Sequence, residues 1–242
     1  MRSGIRVLCK SCLLSLPSLA ASRARPKSFR TPASPASRVS RMIMESSSSP
    51  SPSVDGPESS PTSAPAIDFL SLCHRLKTTK RAGWVKRNVE NPESVADHMY
   101  RMGLMALIAS DMPGIDRNKC IKMAIVHDIA ESIVGDITPS DGVPKLEKSQ
   151  REREALDHMC HLLGGGSQAK EINELWMEYE ENSSPEAKVV KDFDKVEMIL
   201  QALEYENEQG KDLDEFFRST AGKFQTELGK AWAAEIVSRR RA

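Results

Sequence analysis

The run IVHDIAESIVGD, residues 125–136, sets His127 beside Asp128 and Glu131 three residues further on, and closes on Gly135-Asp136. Ionisable groups inside an apolar helical run are costly to bury unless something compensates their charge. A divalent cation does so, and the chain holds further donors for one. His98 lies one helix earlier in SVADHMYRM, and Asp194 lies in KVVKDFDKVEMIL. Two imidazoles and two carboxylates suit Mn²⁺, Fe²⁺ or Co²⁺, with Mg²⁺ less at home among imidazoles. On a six-coordinate ion such a set leaves positions for water and substrate, which Lewis-acid hydrolysis requires.

Taken singly, each residue has a plainer reading. A lone buried histidine is more often hydrogen-bonded in a core, and Asp194 could pair with Lys191 or Lys195, with Asp192 the better candidate for a solvated partner. The order decides: a histidine, then His-Asp one helix later, then an aspartate on a distant helix. Residues four apart share a helical face, so His127 and Glu131 are expected together, with Asp128 on the flank. The apolar neighbours Ile125, Val126, Ile129 and Ile133 predict a helix buried nearly all round.

Helical periodicity dominates the chain after residue 65, and alternating strand-like runs are nearly absent. Stripes over 66–79, 94–112, 116–135, 146–163, 168–181, 185–209 and 213–237 predict an all-α bundle of about seven helices. Ser94 with Asp97 forms a capping-box pattern ahead of His98, while Gly164-Gly165-Gly166 and Gly210 read as helix stops. A loop, KRAGWVKR at 80–87, precedes the first candidate ligand. It offers cations for an anion beside an acidic cluster, and Arg81 is the preferred one because a guanidinium grips oxyanions in pairs. Trp84 reads first as a core aromatic. His158, Cys160 and His161 could chelate zinc, although structural zinc sites usually draw on separated ligand pairs.

These segments resemble the HD-domain metal-dependent phosphohydrolases, and within them the 5′-deoxynucleotidase branch. The resemblance rests on RAGWVKRNVENPESVADHMYRM, AIVHDIAESIVGDITP and VVKDFDKVEMILQALEYE, and extends from about Ile67 to the C-terminal helix. It implies His98, His127, Asp128 and Asp194 as metal ligands. Glu131 and Asp136 become the catalytic acids, with a second ion as an alternative role. The implied reaction is removal of the 5′-phosphate from deoxyribonucleoside 5′-monophosphates with Mn²⁺, Co²⁺ or Mg²⁺, in a protein for which a homodimer is expected. Bacterial relatives carry Arg and Trp adjacent, whereas Arg81 and Trp84 are separated here, which loosens the transfer of phosphate contacts from that loop. Rival readings are an HD phosphohydrolase for nucleoside triphosphates or cyclic nucleotides, and a metal-holding interaction module without turnover.

Charge separates the chain into parts. Residues 1–44 hold nine Lys and Arg and no Asp or Glu, so the remainder carries a net charge of −9. An acidic body disfavours a nucleic-acid polymer as partner, and it favours a monophosphate over the more highly charged triphosphate. The Arg- and Ser-rich segment 1–44 has the composition of an organelle transit peptide, for plastid or mitochondrion; Met42 and Met44 could start a cytosolic form. Residues 45–65 read as a Ser/Pro linker too polar to fold, which leaves 66–242 as the HD domain. No stretch approaches the ~20 apolar residues of a membrane span. Cys73, Cys120 and Cys160 fall on helical patterns and read as buried thiols.

Overall fold

Ser94 starts the helix that carries His98. Its hydroxyl accepts from the Asp97 backbone N–H at 3.2 Å, and the Asp97 carboxylate accepts from the Ser94 N–H at 2.8 Å. This is the capping box read from the sequence. It satisfies two backbone donors that a helix start otherwise leaves unpaired.

The structure is a computed structural model and describes residues 63–109 and 112–241. The proposed transit segment and residues 45–62 of the linker lie outside the described residues. Helix α1 (Ser63–Cys73) already includes the last three residues assigned to the linker. It is followed by α2 (Ala82–Val85), α3 (Val95–Ile108), α4 (Arg117–Val126), α5 (Glu131–Val134), α6 (Lys145–Leu162), α7 (Ser167–Glu181), α8 (Pro185–Gln209), α9 (Asp214–Thr220) and α10 (Glu227–Arg240). Among the described residues the only extended pairing is an isolated bridge between Lys80 and Ser94. The all-α expectation holds.

Three local features turn about seven expected helices into these ten. A single turn, α2, forms inside the loop ahead of α3. The helix expected over 116–135 stops at Val126, and the chain advances through tight turns in which Ile129, Glu131 and Ser132 donate three residues back, to Val126, Asp128 and Ile129. Such bonds overwind the backbone and change which side chains share a face. The helix expected over 213–237 breaks between α9 and α10, where Gly222 takes a positive φ of 73° and Thr226 caps α10. The expected all-round burial of residues 125–133 also fails: Ile125 is 53% and Ile133 36% exposed, while Val126 and Ile129 are buried.

Helix α8 runs through the main core. Val189, Val190, Phe193, Val196, Ile199, Ala202 and Leu203 are all buried against α3, α4 and α10. Fully burying one large apolar side chain contributes roughly 1.5–3 kcal/mol, so this stripe fixes where the polar positions of α8 point. Asp192 is among them and is fully buried, not the solvated residue expected. Its carboxylate accepts from the backbone N–H groups of Gln225 and Thr226 and from the Thr226 hydroxyl, at 2.7–3.0 Å. A second core joins Phe69, Leu76, Val95, Met99, Ile129, Leu156, Met159 and Trp176, and packs α1, α6 and α7 against the other side of the 127–134 turns.

Candidate active site

His98, on the first turns of α3, is fully buried. His127 and Asp128 lie on the overwound turns after α4, and Asp194 lies on α8. Three of these come together closely: ligand atoms of His98, His127 and Asp128 all fall within 4.8 Å of one another. His127 Nε2 is 3.2 Å from Asp128 Oδ2, and His98 Nε2 is 3.8 Å from the same oxygen. Asp194 joins from the His98 side, its Oδ1 3.4 Å from His98 Nε2. The buried Nε2 atoms of His98 and His127, and Oε2 of Glu131, have no hydrogen-bond partner. Buried polar atoms are nearly always satisfied, so three orphans facing one acidic cluster fit a cation held there.

The other ring nitrogens are accounted for. His127 Nδ1 lies 2.9 Å from the Ala124 carbonyl, and His98 Nδ1 lies 2.6 Å from Glu197 Oε2. Both contacts leave Nε2 as the nitrogen available to a metal when Nδ1 carries the proton. Glu197 is itself fully buried and accepts from Arg101, whose guanidinium also reaches Gln201 and Glu204. Burial and the Arg81 guanidinium push the His98 imidazole down, yet the Glu197 and Asp194 carboxylates outweigh them and bring it up to about 9. Burial alone would raise Asp128 and Asp194; the histidines and Arg81 hold both well below the usual carboxylate range.

Glu131 opens α5, 3% exposed. Burial, and then the charges of Asp128 and Asp136, push its carboxyl well above the ordinary value. Gly135 takes a φ of 76° and turns the chain so that Asp136 Oδ2 accepts from the Ala82 N–H at 2.6 Å. That bond ties the loop of Arg81 to the loop of Asp136. Arg81 Nη1 sits 3.2 Å from Asp128 Oδ2, and Nη2 sits 3.9 Å from Asp194 Oδ1. Arg81, Asp128, Glu131, Asp136 and Asp194 all line one cleft of about 710 Å³. Every site residue expected from the sequence is therefore gathered at or just beneath that cleft.

Two residues the sequence reading passed over stand beside them. Tyr179, buried on α7, donates its hydroxyl to Asp194 Oδ2 at 3.0 Å and packs its ring 5.0 Å from that of His127. Glu197 is the other. Its signal was present: Asp194, Glu197, Gln201 and Glu204 recur at helical spacing as a polar stripe on an otherwise apolar helix. Trp84 is a core residue, as expected. It is 2% exposed, packed on Tyr205 and Phe216, with its indole N–H donated to Glu93 at 2.9 Å. His158 and His161 are exposed and belong to none of the close donor groups among the described residues.

The HD domain family matches residues 73–236, and the chain belongs to it. It is 54% identical over 160 residues to the 5′-deoxynucleotidase HDDC2 of Danio rerio, covering 65% of this chain and 79% of the relative. The Dictyostelium discoideum protein of the same name is 48% identical over 187 residues, covering 72% and 98%. Among solved structures, the PH0347 protein of Pyrococcus horikoshii OT3 superposes with a TM-score of 0.60 at 36% identity, over 72% of this chain and 98% of that one.

Proposed function

We propose that this chain is a metal-dependent phosphohydrolase that removes the 5′-phosphate from deoxyribonucleoside 5′-monophosphates. The observation that carries the reading is the set of three buried atoms without a hydrogen bond, on His98, His127 and Glu131, gathered with Asp128 and Asp194 at an open cleft. The cleft volume lies within the range of small-molecule sites. Relatives about half identical to this chain bear the name 5′-deoxynucleotidase.

His98, His127, Asp128 and Asp194 would hold the cation, for which Mn²⁺, Co²⁺ and Mg²⁺ are the candidates. When bound, it lowers the pKa of a water and polarises the phosphoryl oxygens. Glu131, buried beside Asp128 and Asp136 on the cleft, is placed to act as the general base. It takes a proton from the attacking water as the new P–O bond forms. That proton passes to the 5′-oxygen as the old P–O bond breaks, releasing deoxynucleoside and inorganic phosphate. Arg81 places a guanidinium against the phosphoryl oxygens, where charge accumulates in the transition state. Asp136 positions Arg81 by anchoring the next residue's backbone.

Phosphate release from a panel of deoxy- and ribonucleoside mono-, di- and triphosphates, with and without Mn²⁺ or Co²⁺, tests the reading. Cation-dependent release from the deoxynucleoside monophosphates is expected, and release confined to triphosphates would overturn the substrate. A His127→Ala protein with full metal-dependent turnover would overturn the ligand set.

A homodimer is part of the same proposal. Tyr100, Leu104, Leu107 and Ile108 recur along one face of α3 and are 40–71% exposed, and Ile125 of α4 extends that face past Gly103. Apolar faces of this kind mark contact surfaces, and sedimentation equilibrium should return twice the chain mass. Import into an organelle through residues 1–44 is supported by their composition; a fusion of residues 1–65 to a fluorescent reporter that stayed cytosolic would reject it.

A further inference from the structure

A phosphate monoester dianion entering this cleft meets Asp128, Glu131, Asp136 and Asp194. One divalent ion and one guanidinium neutralise only part of that charge, and Arg81 already lies against Asp128 and Asp194. The other cations lining the cleft are mostly committed elsewhere. Lys86 pairs with Asp141 at 2.7 Å, Arg87 with Glu215, Lys148 with Glu152 at 3.4 Å and Lys195 with Asp192 at 3.5 Å. Lys145 and Lys223 are exposed.

Lys191 differs from all of these. It lines the cleft, is half-buried, and has no carboxylate oxygen within 4.0 Å among the described residues. Its ammonium rests instead over the ring of Tyr179, 3.9 Å from the centroid. That ring is the one whose hydroxyl holds Asp194 and which packs, tilted, beside the His127 ring. A half-buried ammonium on a π face, one helical turn before Asp194, is partly desolvated and spends none of its N–H donors on a close ion pair, although Glu180, Asp194 and Asp128 lie near enough to act on its charge.

We infer that Lys191 is a second phosphate-binding residue: its ammonium, seated on Tyr179 and unpaired with any acid, contacts the phosphoryl oxygens of the substrate alongside Arg81. This inference rests on the phosphohydrolase reading above and adds a residue to it. Tyr179 then has two tasks, fixing Asp194 through its hydroxyl and aiming Lys191 through its ring.

The test compares the full-length chain with Lys191→Met, which keeps the aliphatic stem on Tyr179 and removes the charge, and with Lys191→Arg, which keeps the charge. Lys188→Met, an exposed lysine three residues earlier on α8, is the control. Four quantities are read: KM and kcat for a deoxynucleoside monophosphate, the inhibition constant of inorganic phosphate, the dissociation constant of Mn²⁺, and the melting temperature. Lost charge-assisted hydrogen bonds to phosphate should raise KM and the phosphate inhibition constant together by about 10- to 100-fold in Lys191→Met. Lys191→Arg should recover part of this, with Mn²⁺ binding and melting temperature held near wild type. A Lys191→Met protein that hydrolyses substrate with both constants within about twofold of wild type overturns the inference and leaves the phosphohydrolase reading standing. A wild-type chain that releases no phosphate from any monophosphate overturns both.

Discussion

Glu152 makes the stability of this protein depend on pH in a direction opposite to most acidic residues. It is 8% exposed on α6, lines the cleft wall, and lies 3.4 Å from Lys148 Nζ. Burial, reinforced by Glu180 and Asp128 and opposed by Lys148, pushes its carboxyl from an ordinary 4.5 up to about 7. A raised carboxyl binds its proton more tightly folded than unfolded. Its contribution is therefore full below the unfolded value and is lost as pH rises through the folded one. Integrating between pH 5 and pH 8 gives roughly 2–3 kcal/mol of stability lost through this one group. Glu152→Gln keeps the shape and removes the titration. Urea unfolding of both proteins at pH 5 and pH 8 isolates the effect, because every other titrating group cancels in the difference. The stability of Glu152→Gln relative to wild type should improve by roughly 2–3 kcal/mol on going from pH 5 to pH 8. A relative stability that is the same at both pH values would show that the Lys148 contact already offsets the burial, and would refute the reasoning.

Glu197→Gln removes the charge that faces His98 Nδ1 and holds Arg101, so Mn²⁺ affinity by calorimetric titration should fall about 10- to 100-fold while the helical circular dichroism persists. Gly229→Ala places a methyl 2.6 Å from Asp192 Oδ2, an oxygen fixed by three donors in the turn before α10; thermal or urea unfolding should show a loss of about 1–3 kcal/mol.

The helical class and the order of the segments that carry the candidate ligands were legible in the sequence because they depend on local patterns. Apolar spacing near 3.6 residues marks helices wherever they pack, and the Ser94–Asp97 capping box needs only residues three apart. His98, His127, Asp128 and Asp194 stood out because charge inside an apolar stripe is costly and so is noticed. The break after Val126 was not legible. Residues 125–134 have good helical periodicity, and only packing of Ile129 into the second core, with Ile125 and Ile133 left outside, overwinds the turns and decides where Glu131 faces.

What the chain alone determined is which side chains were available and which local backbone would carry them. Tertiary structure decided the pairings: Glu197 on His98, Tyr179 on Asp194, the Asp136 carboxylate on the Ala82 N–H, and Asp192 at the cap of α10 rather than in water. Each joins residues 15 to 99 positions apart. Contacts at such separations follow from how helices cross, which side-chain volumes set across the whole core and no short window of sequence encodes.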